Sequence, residues 1–174
     1  MPEAAAKLLE KSERPMSLAL ESVMNRSSEI ECTLSQPRSR RSAKKKPRIL
    51  LADDQEIVLQ AVSKLLGTDF EVVGLARDGI TFLEMAKQAK PDVCVVDISM
   101  PRMGGVEASR RLLKRNPKAR IVFLTVHEEP IYRKEAFALG ALGYVLKRSV
   151  GKDLTPALLS VLSGLPYVSP GFGM

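Results

Sequence analysis

Several short apolar runs, each ending in a polar residue with chemistry to offer, constrain this sequence most. ILLA (Ile49 to Ala52) runs into Asp53 and Asp54, and VCVV (Val93 to Val96) runs into Asp97. IVFL (Ile121 to Leu124) ends at Thr125, and YVL (Tyr144 to Leu146) ends at Lys147. EVVGL (Glu71 to Leu75) is a weaker member of the set. Runs this short and this apolar fit strands buried on both faces, as in a parallel sheet.

Helical spacing fills the intervals. Ile57, Val58, Ala61, Val62, Leu65 and Leu66 recur at helical steps before Gly67. Ile80, Leu83 and Ala86 predict a second helix, with Asp78 as its cap. Val106 to Leu113 predicts a third, ended before Asn116-Pro117, and Ile131 to Leu139 a fourth, stopped by Gly140. Leu154, Leu158, Val161 and Leu162 predict a fifth, with Pro156 tolerable only in its first turn. Five strands alternating with five helices imply an α/β fold. The expected form is a doubly wound five-stranded parallel sheet with helices on both faces.

This texture begins near residue 47. Residues 1–46 scatter their apolar positions among Ser, Arg and Glu, and are expected to form a flexible, disordered basic extension. Glu3 to Glu10 and Leu18 to Met24 are too short to be stable helices alone. Residues 47–165 form the expected domain, and 166–174 the start of a linker or tail. The net charge is +7, and seven bases lie between Arg38 and Arg48 with no acid among them. That segment alone accounts for the whole excess, so the rest of the chain is close to neutral. A basic run of this kind is commonly a solvated segment, and without interleaved aromatics it makes no stacking platform for single strands. No apolar run nears the roughly 18 residues of a membrane span, and the N-terminus lacks the apolar core of a secretory signal. A cytoplasmic protein without a membrane partner is expected. Cys32 and Cys94 are too few and too far apart for a disulfide framework or a zinc site, and Cys94 reads as a small core residue.

In open parallel sheets, ligands bind beyond the carboxyl ends of the strands. Here those ends hold Asp53, Asp54, Asp97, Thr125 and Lys147. Three carboxylates in one cleft resist ionising together, and a hard divalent cation removes that penalty. Magnesium suits such oxygen ligands and also accepts phosphate oxygens, so phosphoryl transfer is the chemistry that this set serves. Each residue also has an ordinary reading. An aspartate at a strand end commonly caps a helix, Thr125 is an acceptable strand residue, and Lys147 a solvated cation. Gly104-Gly105 does not follow the first strand, where a dinucleotide fold needs its glycines, and reads as the turn into the third helix. His127, the one histidine, reads as a rim residue with an influence on dephosphorylation.

RILLADDQEIV, VCVVDISMPRMGG, IVFLTVHEE and ALGYVLKRS together resemble the receiver domains of two-component response regulators, in the NarL/FixJ branch. The resemblance runs from about Pro47 to Ser169. It implies that Asp97 is the phosphoacceptor, that Asp54 ligates Mg2+ directly and that Asp53 acts mainly through a water. It implies the Ser99 backbone carbonyl as a further metal ligand. Thr125 and Lys147 would contact the phosphoryl group. Tyr144 fits either the mobile aromatic switch of the family or a buried structural tyrosine. The implied partners are a sensor histidine kinase and a second copy in a homodimer. DNA would be contacted only through a helix-turn-helix output domain that this sequence does not contain, although SGLPYVSP resembles the start of the connecting linker. One departure is Arg148 after Lys147, where many receivers have proline. The resemblance implies no enzyme beyond self-phosphorylation and slow dephosphorylation. Two competitors stand beside it: a phosphorylation-independent pseudo-receiver acting as an interaction module, and a magnesium-dependent phosphatase, for which no second acid near Asp97 is evident.

Overall fold

A computed structural model describes residues 45–67 and 69–170. Residues 1–44 of the basic extension, with its two short helical segments and Cys32, and the last four residues lie outside the described residues. The chain runs β1 (Arg48–Ala52), α1 (Glu56–Leu66), β2 (Glu71–Ala76), α2 (Gly79–Ala89), β3 (Val93–Val96) and α3 (Gly105–Arg115). It continues through β4 (Ile121–Thr125), α4 (Pro130–Leu139), β5 (Gly143–Leu146), a 3-10 turn (Lys147–Ser149), α5 (Val150–Leu162) and β6 (Tyr167–Val168). All strands pair in parallel, in the order β2-β1-β3-β4-β5-β6.

Alternation along the central strands builds two apolar layers. Leu50, Ala52, Cys94, Val96, Ile121 and Phe123 face Phe82 of α2, Ala108 and Leu112 of α3 and Ala136 of α4. Ile49, Leu51, Val93, Val95, Val122 and Leu124 face Leu59 and Val62 of α1 and Leu154, Leu158 and Val161 of α5. The period-two pattern of the strands thus forces helices onto both faces, the doubly wound arrangement expected from the sequence. Cys94 is buried in this core, and burial pushes its thiol up to about 12. No helix among the described residues is long and apolar enough to cross a membrane.

The sheet carries one strand more than the expected five. Tyr167–Val168 adds to β5, with the Tyr167 N–H donating to the Leu142 carbonyl at 2.9 Å and the Ser169 N–H to the Tyr144 carbonyl at 2.9 Å. The buried Ser169 hydroxyl also accepts from the Leu146 N–H at 3.2 Å. Two residues are too few to show a period, so the sequence carries no strand signal there.

The expectation for Pro156 is corrected. Helix α5 starts at Val150, so Pro156 lies in its interior, beyond the first turn. The helix continues because Asp153, Leu154, Ala157, Leu158 and Val161 are buried along one face. Pro156 and Lys152 are both on the solvent side, so the Lys152 carbonyl that loses its partner is left to water.

Candidate functional site

The topology reverses between β1 and β3, which are neighbours at the centre of the sheet. Chains leaving those two strands wind to opposite faces and open a crevice at their carboxyl ends, the usual ligand position in this architecture. Asp53 and Asp54 follow β1, and Asp97 follows β3. Sheet hydrogen bonds extend one residue past the strands and hold the acids in place. The Asp53 N–H donates to the Ala76 carbonyl at 3.0 Å, and the Asp97 N–H to the Ala52 carbonyl at 2.8 Å.

The three carboxylates offer oxygens that all lie within 4.8 Å of one another. Asp53 and Asp97 are buried, while Asp54 is exposed. Lys147, at the start of the 3-10 turn after β5, reaches across the crevice. Its Nζ lies 2.7 Å from Asp53 Oδ2 and 2.9 Å from Asp97 Oδ2. Asp53 Oδ1 accepts from the Gln55 N–H at 3.0 Å. Asp97 Oδ1 is buried and makes no hydrogen bond.

One ammonium serves more acid than it can neutralise. Burial pushes the Asp97 carboxyl above the ordinary carboxylate range, Lys147 only partly offsets this, and the Asp53 charge adds to it. Burial alone would depress Lys147, but Asp53 and Asp97 outweigh it and hold the ammonium above the ordinary lysine value. Both directions follow from a cluster with a net negative charge. The donor set is all oxygen, so a hard divalent cation such as Mg2+ fits it, and the unpartnered Asp97 Oδ1 is a ready ligand.

Two other expected residues sit beside the crevice, joined through His127. The buried Thr125 Oγ1 accepts from the His127 N–H at 3.1 Å. The Tyr144 hydroxyl donates to the His127 carbonyl at 3.0 Å, and the Tyr144 ring is fully buried. The His127 ring lies 4.3 Å from that of Tyr132, and its Nε2 is 2.8 Å from Ser99 Oγ. The sequence placed His127 only at the rim. Its bond to Ser99 spans 28 positions, and no spacing signal reports such a pair. Ser99 was expected through its carbonyl, whereas the side chain makes this link.

Gly105 fixes the floor of the site. A Cβ there would lie 1.8 Å from the Asp97 carbonyl oxygen, so α3 can start this close to the acid only with glycine. Its N–H donates to the Ile98 carbonyl at 2.8 Å. Asp78 caps α2 as expected, accepting from the Ile80 and Thr81 N–H groups at 2.9 and 3.0 Å and pairing with Arg102. Burial works against its charge, but these donors outweigh burial and hold the carboxyl below the ordinary range. A second polar cluster went unread in the sequence. Asp153 is buried, and burial works against its charge, but its polar neighbours Ser169, Ser149 and Tyr167 outweigh burial and hold the carboxyl below the ordinary range.

A family model described as the response regulator receiver domain matches residues 49–159. The response regulator GacA of Pseudomonas aeruginosa is 34% identical over 71% of this chain and 58% of its own length. The transcriptional regulatory protein DesR of Bacillus subtilis is 36% identical over 70% of this chain and 61% of its own. The chain therefore spans little more than half the length of these curated relatives. A LuxR-family two-component response regulator from Aurantimonas superposes with a TM-score of 0.70 at 33% identity, over 72% of this chain and 91% of that one. The signal receiver domain of the response regulator NarL from Mycobacterium tuberculosis gives 0.65 at 30% identity, over 69% and 98%. With its doubly wound sheet and its acids at the β1/β3 crevice, the chain belongs to the response regulator receiver domains of two-component systems, among NarL- and LuxR-type relatives.

Proposed function

We propose that the chain accepts a phosphoryl group on Asp97 from the phosphohistidine of a sensor histidine kinase and changes the conformation of the face formed by α4 and β5. The observation that carries this reading is the meeting of Asp53, Asp54 and Asp97, with carboxylate oxygens within 4.8 Å of one another, at one strand-end crevice where Lys147 bonds Asp53 and Asp97. Asp53, Asp54, Asp97 and the Ser99 backbone carbonyl would hold Mg2+. When bound, the cation offsets the carboxylate charge and neutralises charge developing on the phosphoryl oxygens.

The chain's own residues account for the rest. An Asp97 carboxylate oxygen forms a bond to phosphorus as the P–N bond of the phosphohistidine breaks, and the imidazole leaves with the electron pair. Lys147 already touches both buried acids and follows the negative charge onto the new phosphoryl group. Thr125 Oγ1 accepts one hydrogen bond in this state and keeps its own proton to donate to a phosphoryl oxygen. If Thr125 turns to do so, it releases the N–H of His127, whose carbonyl anchors the Tyr144 hydroxyl. That shared residue couples the site to the buried aromatic. Attack of water on the acyl phosphate returns the carboxylate and inorganic phosphate. In this reading residues 47–165 are the receiver, 1–46 an extension and 166–174 the start of a linker. Homodimer formation with a second copy of the chain belongs to the same reading, and DNA would be contacted only through an output domain.

Beryllofluoride, a phosphoryl mimic, tests the site. Fluorine NMR of the full chain should show a bound signal only with Mg2+ present, lost in Asp97→Ala. If no bound signal forms under conditions that label another receiver, the phosphorylation-independent interaction module becomes the better account.

A further inference from the structure

A second hollow lies away from the acidic crevice. Helices α2 and α3 touch near their starts, where a Cβ on Gly79 would meet Ala108 Cβ at 2.9 Å. Toward their carboxyl ends a cavity of about 640 Å³ lies between them. That volume is within the span of small-molecule sites, about 300–1,000 Å³. Leu83, Leu112 and Cys94 line it with apolar surface, and Lys87, Lys90 and Arg115 line it with cations. No acid is among the lining residues, and none of the three cations makes an ion pair among the described residues. Arg110 and Arg111, one turn earlier on α3, both pair with Glu107.

A lysine or arginine in the last turn of a helix is ordinary, because it faces the negative end of the dipole. That accounts for Lys87 and Arg115 singly. It does not account for Lys90, which follows α2 in the left-handed conformation at φ 47, where glycine or asparagine would cost less. Nor does it account for three unpaired cations around an apolar hollow.

We propose that this cavity binds a small amphipathic carboxylate, an aliphatic acid whose tail lies on Leu83, Leu112 and Cys94 and whose headgroup meets Lys87, Lys90 and Arg115. Tail burial supplies the affinity, because each methylene removed from water favours the bound state. The cations supply the choice of headgroup, since each is exposed and contributes modestly alone. The proposal is independent of phosphorylation at Asp97.

Two-dimensional amide NMR of the full chain, titrated with octanoate, octanol or acetate, tests it. Octanoate should give saturable shifts at Ala86, Cys94 and Leu112. Octanol should bind at least tenfold more weakly, about 1.4 kcal/mol, and acetate should not shift these amides. The double variant Lys87→Glu, Arg115→Glu should lose at least tenfold for octanoate while octanol binding stays the same, which also reports that the variant is folded. Equal binding of octanoate and octanol would reduce the hollow to an apolar crevice and overturn the proposal. So would octanoate binding that survives the double variant, or shifts at these amides that acetate reproduces, because the cavity's cations would then not be selecting the headgroup of an aliphatic acid.

Discussion

At the residue scale, Asp97 is held in a state that costs the protein stability. Below the ordinary carboxylate value of 3.8 the residue is protonated in both folded and unfolded chains. As pH rises past that value the unfolded chain ionises Asp97 while the folded state resists, so the unfolded state sheds its proton first. The wild type therefore loses stability between the ordinary value and the raised folded value, and keeps that deficit at neutrality. Without divalent cations, Asp97→Asn should melt at a higher temperature than wild type at neutral pH, and the gap should close below the ordinary value. Adding Mg2+ should stabilise the wild type selectively. An Asp97→Asn variant that melts lower at neutrality without Mg2+ would show that Lys147 outweighs burial at this carboxyl. The identities of these groups were legible in the sequence because each stands one or two positions past an apolar run. Their contacts were legible only in part. That Lys147 bridges both Asp53 and Asp97, and that Asp54 alone faces solvent, depends on side-chain directions that spacing does not carry.

Gly105, at the scale of the element, sets how closely α3 approaches the acid. Gly105→Ala would place a Cβ 1.8 Å from the Asp97 carbonyl oxygen. Backbone must move to relieve it, at a cost of about 3 kcal/mol or more. Urea unfolding should report that loss, and Mg2+ binding should weaken with it. Unchanged stability would mean that α3 does not begin against Asp97. Pro156 makes the opposite case. An interior proline costs a helix about 3 kcal/mol relative to alanine, while its stiffening of the unfolded chain returns up to about 1 kcal/mol. Pro156→Ala should therefore stabilise the protein by about 2–3 kcal/mol in the same measurement. A neutral or destabilising result would fit the first-turn placement that the sequence suggested. That suggestion failed because the 3-10 turn at Lys147–Ser149 runs directly into α5 and brings the helix start forward. The α1 pattern shows a related limit. The helix was legible, yet Ile57 is 76% exposed while Leu59 is buried, because two neighbouring apolar faces fit one period and packing chooses between them.

For the whole molecule, the strand order does most to place the site. Fully apolar strands announce a sheet covered on both sides, and this part was readable from VCVV and IVFL. The order that makes β1 and β3 neighbours is not written in any single run, since the contact joins residues 44 positions apart, such as Ile49 and Val93. The four motifs taken together implied it through their resemblance to receivers. The two-residue β6 and the cluster of Asp153, Ser149 and Ser169 escaped because they depend on the return of the chain to β5. That return ties the residues after α5 to the strand carrying Tyr144, and the strand leads directly into Lys147. Intact-mass spectrometry after incubation with acetyl phosphate, with and without Mg2+, on wild type and Asp97→Ala, tests the central claim most directly. One added phosphoryl group that needs Mg2+ and vanishes in the variant is the predicted result. No adduct on the wild type, where another receiver is labelled in parallel, or an adduct that persists in Asp97→Ala, would contradict phosphoacceptance at Asp97.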